Sequence, residues 1–431
     1  MSRVTAAKLM ATLLFALAAA TSSASASVLT VGRQGWRVQS SAQATQTGAQ
    51  ISLPTFGVGS WLRVRPDDAG AVGTEVNALV QNHRCPNVFF SMNMKTCFGY
   101  MSQIGRDTIK AFSVPWWFRA TFASRLRAGQ RAQLIVNGVV GEADVWVNGT
   151  RIATRTTVQG AFTRYSFDVT GLIHRGANVL ALKVYPNDPN KMFTLDNVDW
   201  SQIPPDNNAG LQFPVQLHTA GPLTIGNAHV VEHNARDLSR STLTLKADVT
   251  NTTAVRQAGR VTVSVSLPGA ARREAVLGRG VTLAQGSTRT VSFRLVIRHP
   301  HLWWPYRMGA QPLYRLTMGV RPRHGAGDSQ SESFGIRTIT TRLIGPAPIA
   351  PEGSRQFLVN GKPFVFRGGG WSEDLFLRYS AADTANQIAL IKNLGLNGIR
   401  TEGKQMPGDF YEQMDRAGIM IDGGFQCCDA W

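Results

Sequence analysis

Between residues 243 and 297 three stretches alternate apolar and polar side chains with a period of two. They are Leu243, Leu245, Ala247 and Val249; Val261, Val263, Val265 and Leu267; and Val291, Phe293, Leu295 and Ile297. An extended strand sends successive side chains to opposite faces, so each stretch can bury one face and wet the other. A helix, with its period of 3.6, cannot do this with the same residues. Three such strands in one block suit a seven-strand immunoglobulin-like sandwich over residues 226–343. Upstream, residues 27–225 are also β-rich. Leu134-Ile135-Val136-Asn137-Gly138 is strand-like, and Ala143-Asp144-Val145-Trp146-Val147 alternates. Asn148-Gly149 then leads into Thr150-Arg151-Ile152, a strong hairpin signal because both turn positions need positive φ. Residues 178–185 form another strand, stopped by Pro186-Asn187-Asp188-Pro189. The chain has 42 Gly and 20 Pro among 431 residues, so many short strands between such turns indicate a sandwich.

Beyond residue 343 the pattern changes. Residues 344–356, with Gly345-Pro346-Ala347-Pro348-Ile349-Ala350-Pro351, read as a stiff linker. Pro363-Phe364-Val365-Phe366-Arg367 reads as a short buried strand. Ser380 and Asp383 form a capping box for a helix with Ile388, Ile391 and Leu394 on one face. Gly398-Ile399-Arg400 is the next strand, Phe410, Tyr411 and Met414 mark a second helix, and Ile419-Met420-Ile421-Asp422 is a third strand. Strand, helix, strand, helix, strand is a parallel α/β arrangement. The expected fold is therefore multidomain and mainly β: two β-sandwiches, then about three strands of a larger α/β unit in residues 357–431.

The N-terminus reads as an export signal over residues 1–26. Arg3 and Lys8 precede an apolar run over residues 9–20, and Ala24-Ser25-Ala26 offers a small-residue cleavage site. A secreted or periplasmic chain is expected, and no later stretch reaches the length needed to span a bilayer. In an oxidising compartment Cys85 and Cys97, in one Asn-rich aromatic loop region, are expected to pair. The net charge of +18 is scattered rather than clustered, which speaks against a nucleic-acid partner. Residues 351–431 depart from it, with eight Lys/Arg against ten Asp/Glu. The eight His residues show no metal-ligand spacing. Gly368-Gly369-Gly370 is neither a phosphate loop nor a dinucleotide fingerprint, so neither metal nor cofactor is expected.

Several motifs, taken in order, resemble glycoside hydrolase family 2. Pro115-Trp116-Trp117-Phe118-Arg119, the run over residues 143–149, Phe167-Asp168-Val169-Thr170 and Gly176-Ala177-Asn178 resemble its sugar-binding-like, jelly-roll-like domain. His299-Pro300-His301-Leu302-Trp303-Trp304-Pro305 and Ser333-Phe334-Gly335-Ile336-Arg337 resemble the last part of its immunoglobulin-like sandwich. Leu358-Val359-Asn360-Gly361-Lys362-Pro363, Arg367-Gly368-Gly369 and the run over residues 395–400 resemble the start of its (β/α)8 TIM barrel. Within the family the run over residues 367–378, Thr401-Glu402-Gly403 and residues 427–431 are most similar to exo-β-D-glucosaminidases. β-Mannosidases and endo-β-mannosidases share the Arg-Gly-Gly start and remain an alternative, as does a non-catalytic carbohydrate-binding β-sandwich remnant.

The resemblance implies a retaining glycosidase with two carboxyl groups about 5 Å apart. It places them after the fourth and seventh barrel strands, beyond Trp431, so that this chain holds a truncated barrel and no catalytic residue. The implied substrate is an amino-sugar or mannoside oligosaccharide. Substrate-binding candidates are Asp374 after the first barrel strand, Arg400 and Glu402 at the end of the second, and Gln426, Asp429 and Trp431 after the third. Acids there would face a cationic amine, and Trp431 would stack on a sugar face. The bland alternatives are solvated loop residues, internal ion pairs and core packing. Exo-β-D-glucosaminidases typically carry Glu where this chain has Gln426, which keeps hydrogen bonding but not charge.

Overall fold

The computed structural model describes residues 26–99, 110–188, 191–192, 202–267, 273–401 and 405–424. The export signal read over residues 1–26 lies, apart from its last residue, outside the described residues. Among those described, no helix is long and apolar enough to cross a membrane.

The first unit is a ten-stranded antiparallel sheet with one large core and a smaller buried cluster around Trp117 and Trp146. The two strand segments expected at residues 134–138 and 143–147 are one long strand, Arg131–Val147, broken by register shifts and paired with Thr150–Asp168. The Asn-Gly hairpin between them is present, with φ of 48° at Asn148 and 89° at Gly149. Its Asn is also a structural knot. Asn148 Nδ2 donates to Leu172 O (2.7 Å) and Asn178 Oδ1 (2.8 Å), and Asn148 Oδ1 accepts from Val179 N (2.8 Å). The Trp-Trp-Phe-Arg motif lies on the strand Trp116–Ser124. Trp117 packs on Trp146 at 5.4 Å, and the buried Arg119 donates to Ile51 O (2.8 Å) and Leu53 O (2.9 Å). These motif residues hold the sandwich together.

The second unit has seven strands in two sheets, the sandwich that its three alternating stretches suit. Leu223–Asn234, Arg240–Asn251 and Thr288–Arg298 form one sheet; Arg273–Leu283, Gln257–Ser266, Tyr314–Pro322 and Asp328–Phe334 form the other. The alternating apolar residues meet between them, with Leu243, Leu245, Ala247, Val261 and Val265 fully buried.

The proline-rich stretch read as a linker is instead the turn of a hairpin. Ile339–Ile344 pairs with Ser354–Val359, which pairs in turn with Lys362–Phe364. The first parallel strand is therefore Gly368–Trp371 rather than residues 363–367, and Val365 is 69% exposed. Gly368–Trp371, Gly398–Thr401 and Met420–Gly423 form a parallel three-stranded sheet. The helix Ala381–Asn393 starts at Ser380, whose Oγ accepts from Asp383 N (3.1 Å). Its Ile388 and Ile391 are buried, whereas Leu394 lies just past its end and is exposed. The second helix, Gly408–Ala417, buries Phe410 and Met414 and stops at Gly418, which adopts a left-handed φ of 75°.

Trp303 ties the second sandwich to that helix. It is 1% exposed, and its Nε1 donates to Asp415 O (2.8 Å). Asn360 Nδ2 donates to Trp303 O (3.0 Å), and the Arg337 guanidinium lies 4.8 Å from its ring centre. Gly335 fits beneath it only because it lacks a Cβ, which would sit 2.8 Å from the Trp303 Cβ. Gly335→Ala is expected to cost about 1–3 kcal/mol, as other small-to-large changes in packed sites do. Chemical denaturation followed by tryptophan fluorescence measures it, and an unchanged midpoint would show that Trp303 can yield.

Candidate functional site

A cavity of about 660 Å³ lies where the parallel sheet meets the first sandwich. One wall is the end of the strand Gly368–Trp371 and the segment after it, with Trp371, Glu373 and Asp374; another is the sandwich segment bearing Arg65 and Asp67. Open parallel sheets and barrels bind ligands at the C-terminal ends of their strands, and this cavity sits at such an end. Four carboxyl groups line it, from Asp67, Glu373, Asp374 and Asp383, against the guanidinium groups of Arg65 and Arg378.

Asp374 is not a bare anion. Its Oδ1 accepts from Phe376 N (2.9 Å) and Arg378 Nε (2.9 Å), and its Oδ2 accepts from an Arg378 terminal nitrogen (2.6 Å). The two-pronged pair folds residues 374–378 into a tight turn. That turn drives Phe376 into the sandwich core, where it is fully buried, and Leu377 takes a positive φ of 58°. Arg378 then lies 5.6 Å from the Phe89 ring centre and 5.5 Å from that of Phe376. Arg400 lies mid-strand, in register with Gly370 and Asp422. The cavity lining does not include it. Glu402, Gln426, Asp429 and Trp431 lie outside the described residues.

The other acids around the cavity were not legible from the sequence. Asp67 Oδ1 accepts from Ala71 N (2.8 Å) and its Oδ2 from Tyr379 N (3.0 Å). Burial nevertheless pushes its carboxyl up to about 6. Behind the wall sits a fully buried pair. Asp206 accepts from Val76 N (2.7 Å) and Asn208 N (3.0 Å), and burial raises it to about 6. Glu75 is raised well above the ordinary range, first by burial and then by the neighbouring Asp206 charge. Asn208 Nδ2 links this pair to the site wall by donating to Leu375 O (2.7 Å). Tyr379 Oη donates to Asp409 (2.6 Å), which holds that carboxyl below its usual range.

Cys85 and Cys97 form a disulfide with a Cα–Cα distance of 5.7 Å. Inside the loop it closes, Phe89 stacks on Phe376 with ring centres 5.1 Å apart. Among the described residues no group of His, Cys, Asp or Glu has the geometry to hold a metal ion.

Comparison with known proteins agrees with this architecture of two sandwiches followed by a parallel α/β segment. Residues 36–194 match a family model described as glycosyl hydrolase 2 galactose-binding domain-like, and residues 224–337 match one described as glycosyl hydrolases family 2. Together the two span more than half of the chain, which belongs to glycoside hydrolase family 2. An exo-β-D-glucosaminidase of Amycolatopsis orientalis is 36% identical over 92% of this chain and 36% of its own. One of Streptomyces avermitilis is 35% identical over 93% of this chain and 42% of its own. The crystal structure of the Amycolatopsis orientalis exo-chitosanase CsxA superposes with a TM-score of 0.81 at 34% identity, covering 94% of this chain and 44% of that one. The chain thus spans less than half the length of each of these relatives.

Two measurements probe the site. Asp67, Asp206 and Glu75 all hold protons more tightly when folded. For Asp67 and Asp206 the stabilising contribution is thus present below about pH 4 and lost as the pH rises through about 6. For Asp206, fully buried, the shift corresponds to about 3 kcal/mol. The melting temperature is expected to rise as the pH falls from 7 to 5, and Asp206→Asn should flatten that rise; a falling melting temperature over this range contradicts the assignment. Separately, closing a loop of this size stabilises by about 3 kcal/mol in the chain-entropy model. The double variant Cys85→Ser/Cys97→Ser should lose stability of that order in urea titration.

Proposed function

We propose that these residues form the accessory sandwiches and the opening of a (β/α)8 barrel in a secreted or periplasmic retaining exo-β-glycosidase. Its reaction is the release of glucosamine from the non-reducing ends of chitosan or chito-oligosaccharides. The observation that carries this reading is the acidic cavity at the C-terminal end of the parallel sheet, in a chain whose net charge is +18. A polycationic glycan is repelled by that net charge at long range, so it needs a local acidic pocket to seat its terminal amine. Family membership and the naming of the relatives support the same substrate class.

In this reading the two catalytic carboxyl groups come from chain beyond Trp431. One protonates the leaving oxygen while the other attacks the anomeric carbon, and the roles then reverse for hydrolysis by water. The described residues orient the sugar. The Asp374–Arg378 turn and the Phe89–Phe376 stack fix the wall, and Asp67 and Glu373 supply negative potential. Gln426 gives this subsite a neutral partner in place of Glu. A mannoside, with a hydroxyl in place of the amine, is the second reading that Gln426 favours.

The test compares kcat/KM for β-glucosaminide and β-mannoside on the complete protein, then on its Gln426→Glu variant. The expected result is a preference for the amine that grows by roughly 5- to 150-fold in the variant, the value of about 1–3 kcal/mol for one charge-assisted bond. Residues 27–431 alone should release no sugar. A preference for the mannoside that survives the substitution would sink the glucosaminidase reading.

A further inference from the structure

The outer face of the second sandwich carries a different constellation. In the sheet built on Gln257–Ser266, Val261, Val263 and Val265 point into the core, as do Leu316, Met318 and Val320 on the neighbouring strand. The alternate positions face outward and are small, hydroxylated or basic. Arg260 stands directly between Gly280 on one strand and Arg321 on the other; Thr262 stands between Gly278 and Gly319. The Arg260 guanidinium lies flat over Gly278, where any Cβ would approach one of its nitrogens to 2.7 Å. Nothing lies within 4 Å of a Cβ built on Gly280. The glycines thus lower the floor of a trough of about 1260 Å³, whose rim adds Arg256, Arg289 and Arg323.

None of these five arginines forms an ion pair among the described residues. The carboxylate in the lining, Asp328, is already engaged: it accepts from Ile225 N (2.9 Å) and Ser329 N (2.9 Å) and meets the His218 ring at 3.1 Å. Like charges directly opposite on adjacent strands destabilise a sheet, so the Arg260–Arg321 rung is unfavourable until an anion lies across it. Guanidinium forks bind carboxylate or sulfate with two parallel hydrogen bonds. The trough exceeds the roughly 300–1,000 Å³ of a small-molecule site, so it suits a segment of polymer. No aromatic side chain is among its described lining residues. That removes the base-stacking platform of single-strand nucleic-acid sites and leaves charge and hydroxyl contacts as the means of recognition.

We propose that this trough binds a linear acidic polysaccharide, with Arg260 and Arg321 as the paired anchor for its acidic groups. The site is separate from the acidic cavity and does not depend on the reaction proposed for it. It would anchor a basic protein to an anionic glycan surface while leaving the acidic cavity open.

Isothermal titration of the whole chain with polygalacturonate tests this, with neutral pullulan and a short DNA duplex as comparison ligands. Wild type should bind polygalacturonate, more weakly as salt rises, and should not bind pullulan. Arg260→Ser/Arg321→Thr should weaken binding by about tenfold or more. The variant Arg294→Ser/Arg298→Ser removes the same charge from the exposed face of the other sheet and should leave affinity within about twofold. Thermal melting in the absence of ligand should show the trough variant at least as stable as wild type, because the like-charge rung is gone. Equal weakening by both variants would reduce the effect to general surface charge and overturn the site. Failure to bind polygalacturonate, or tighter binding of the duplex, would overturn the assignment to an acidic glycan.

Discussion

Three short parallel strands cannot cover their own two faces, and parallel sheets are stable only when both faces are packed. In this chain the sandwiches hold the α/β segment through one buried ring and a few hydrogen bonds. Phe376 leaves the α/β segment to lie in the core of the first sandwich. Asp67 and Asp68 accept hydrogen bonds from the backbone N–H groups of Tyr379 and Ala381, at the start of the helix Ala381–Asn393. From the second sandwich, Trp303 Nε1 reaches Asp415 O, and Tyr306 N donates to Gly418 O (2.7 Å) at the end of the helix Gly408–Ala417. Both helices are thus tied to a sandwich, one by its start and the other by its end.

The same bonds create the acidic site. Asp67 is held at the cavity wall because it accepts from Tyr379 N; burial there raises its affinity for a proton, against the opposing pull of that hydrogen bond. The Glu75–Asp206 pair behind the wall is tolerated for a related reason. Asp206 accepts from two backbone N–H groups, while burial and the Asp206 charge raise Glu75 well above the ordinary range. The acid-rich cavity and the arginine-lined trough then divide the molecule into regions of opposite sign, on different units of one strongly basic chain.

Much of the β architecture was legible because period-two alternation maps directly onto strand faces: Leu243, Leu245, Ala247 and Val249 are all buried, as read. The Asn148-Gly149 turn was legible for the same local reason. The first parallel strand was not. Gly368–Trp371 is three glycines and a tryptophan, with no apolar pattern, and its strand character comes from pairing with Gly398–Thr401. The Pro-rich run at 345–351 looked like a spacer because its composition fits one. Its role as a hairpin turn is set by the pairing of Ile344 with Ser354 across it. The site was only partly legible. Asp374 was singled out by its place after a strand, but its grip on Arg378 could not be seen from spacing alone. Asp67 and Asp206 were invisible, because their meaning lies in partners far away in the chain, Tyr379 for the first and Val76 for the second.

The central claim is that sandwich carboxylates hold the α/β segment in place and so shape the cavity. Amide hydrogen exchange at Tyr379 and Ala381 tests it most directly, in wild type and in the double variant Asp67→Ala/Asp68→Ala. The account predicts strong protection at both amides in wild type. In the variant that protection should be lost, and the loss should spread through residues 371–384 while Leu243–Val249 in the second sandwich stays protected. Unchanged exchange at Tyr379 and Ala381 would contradict it and would mean that the α/β segment holds its shape without the sandwich.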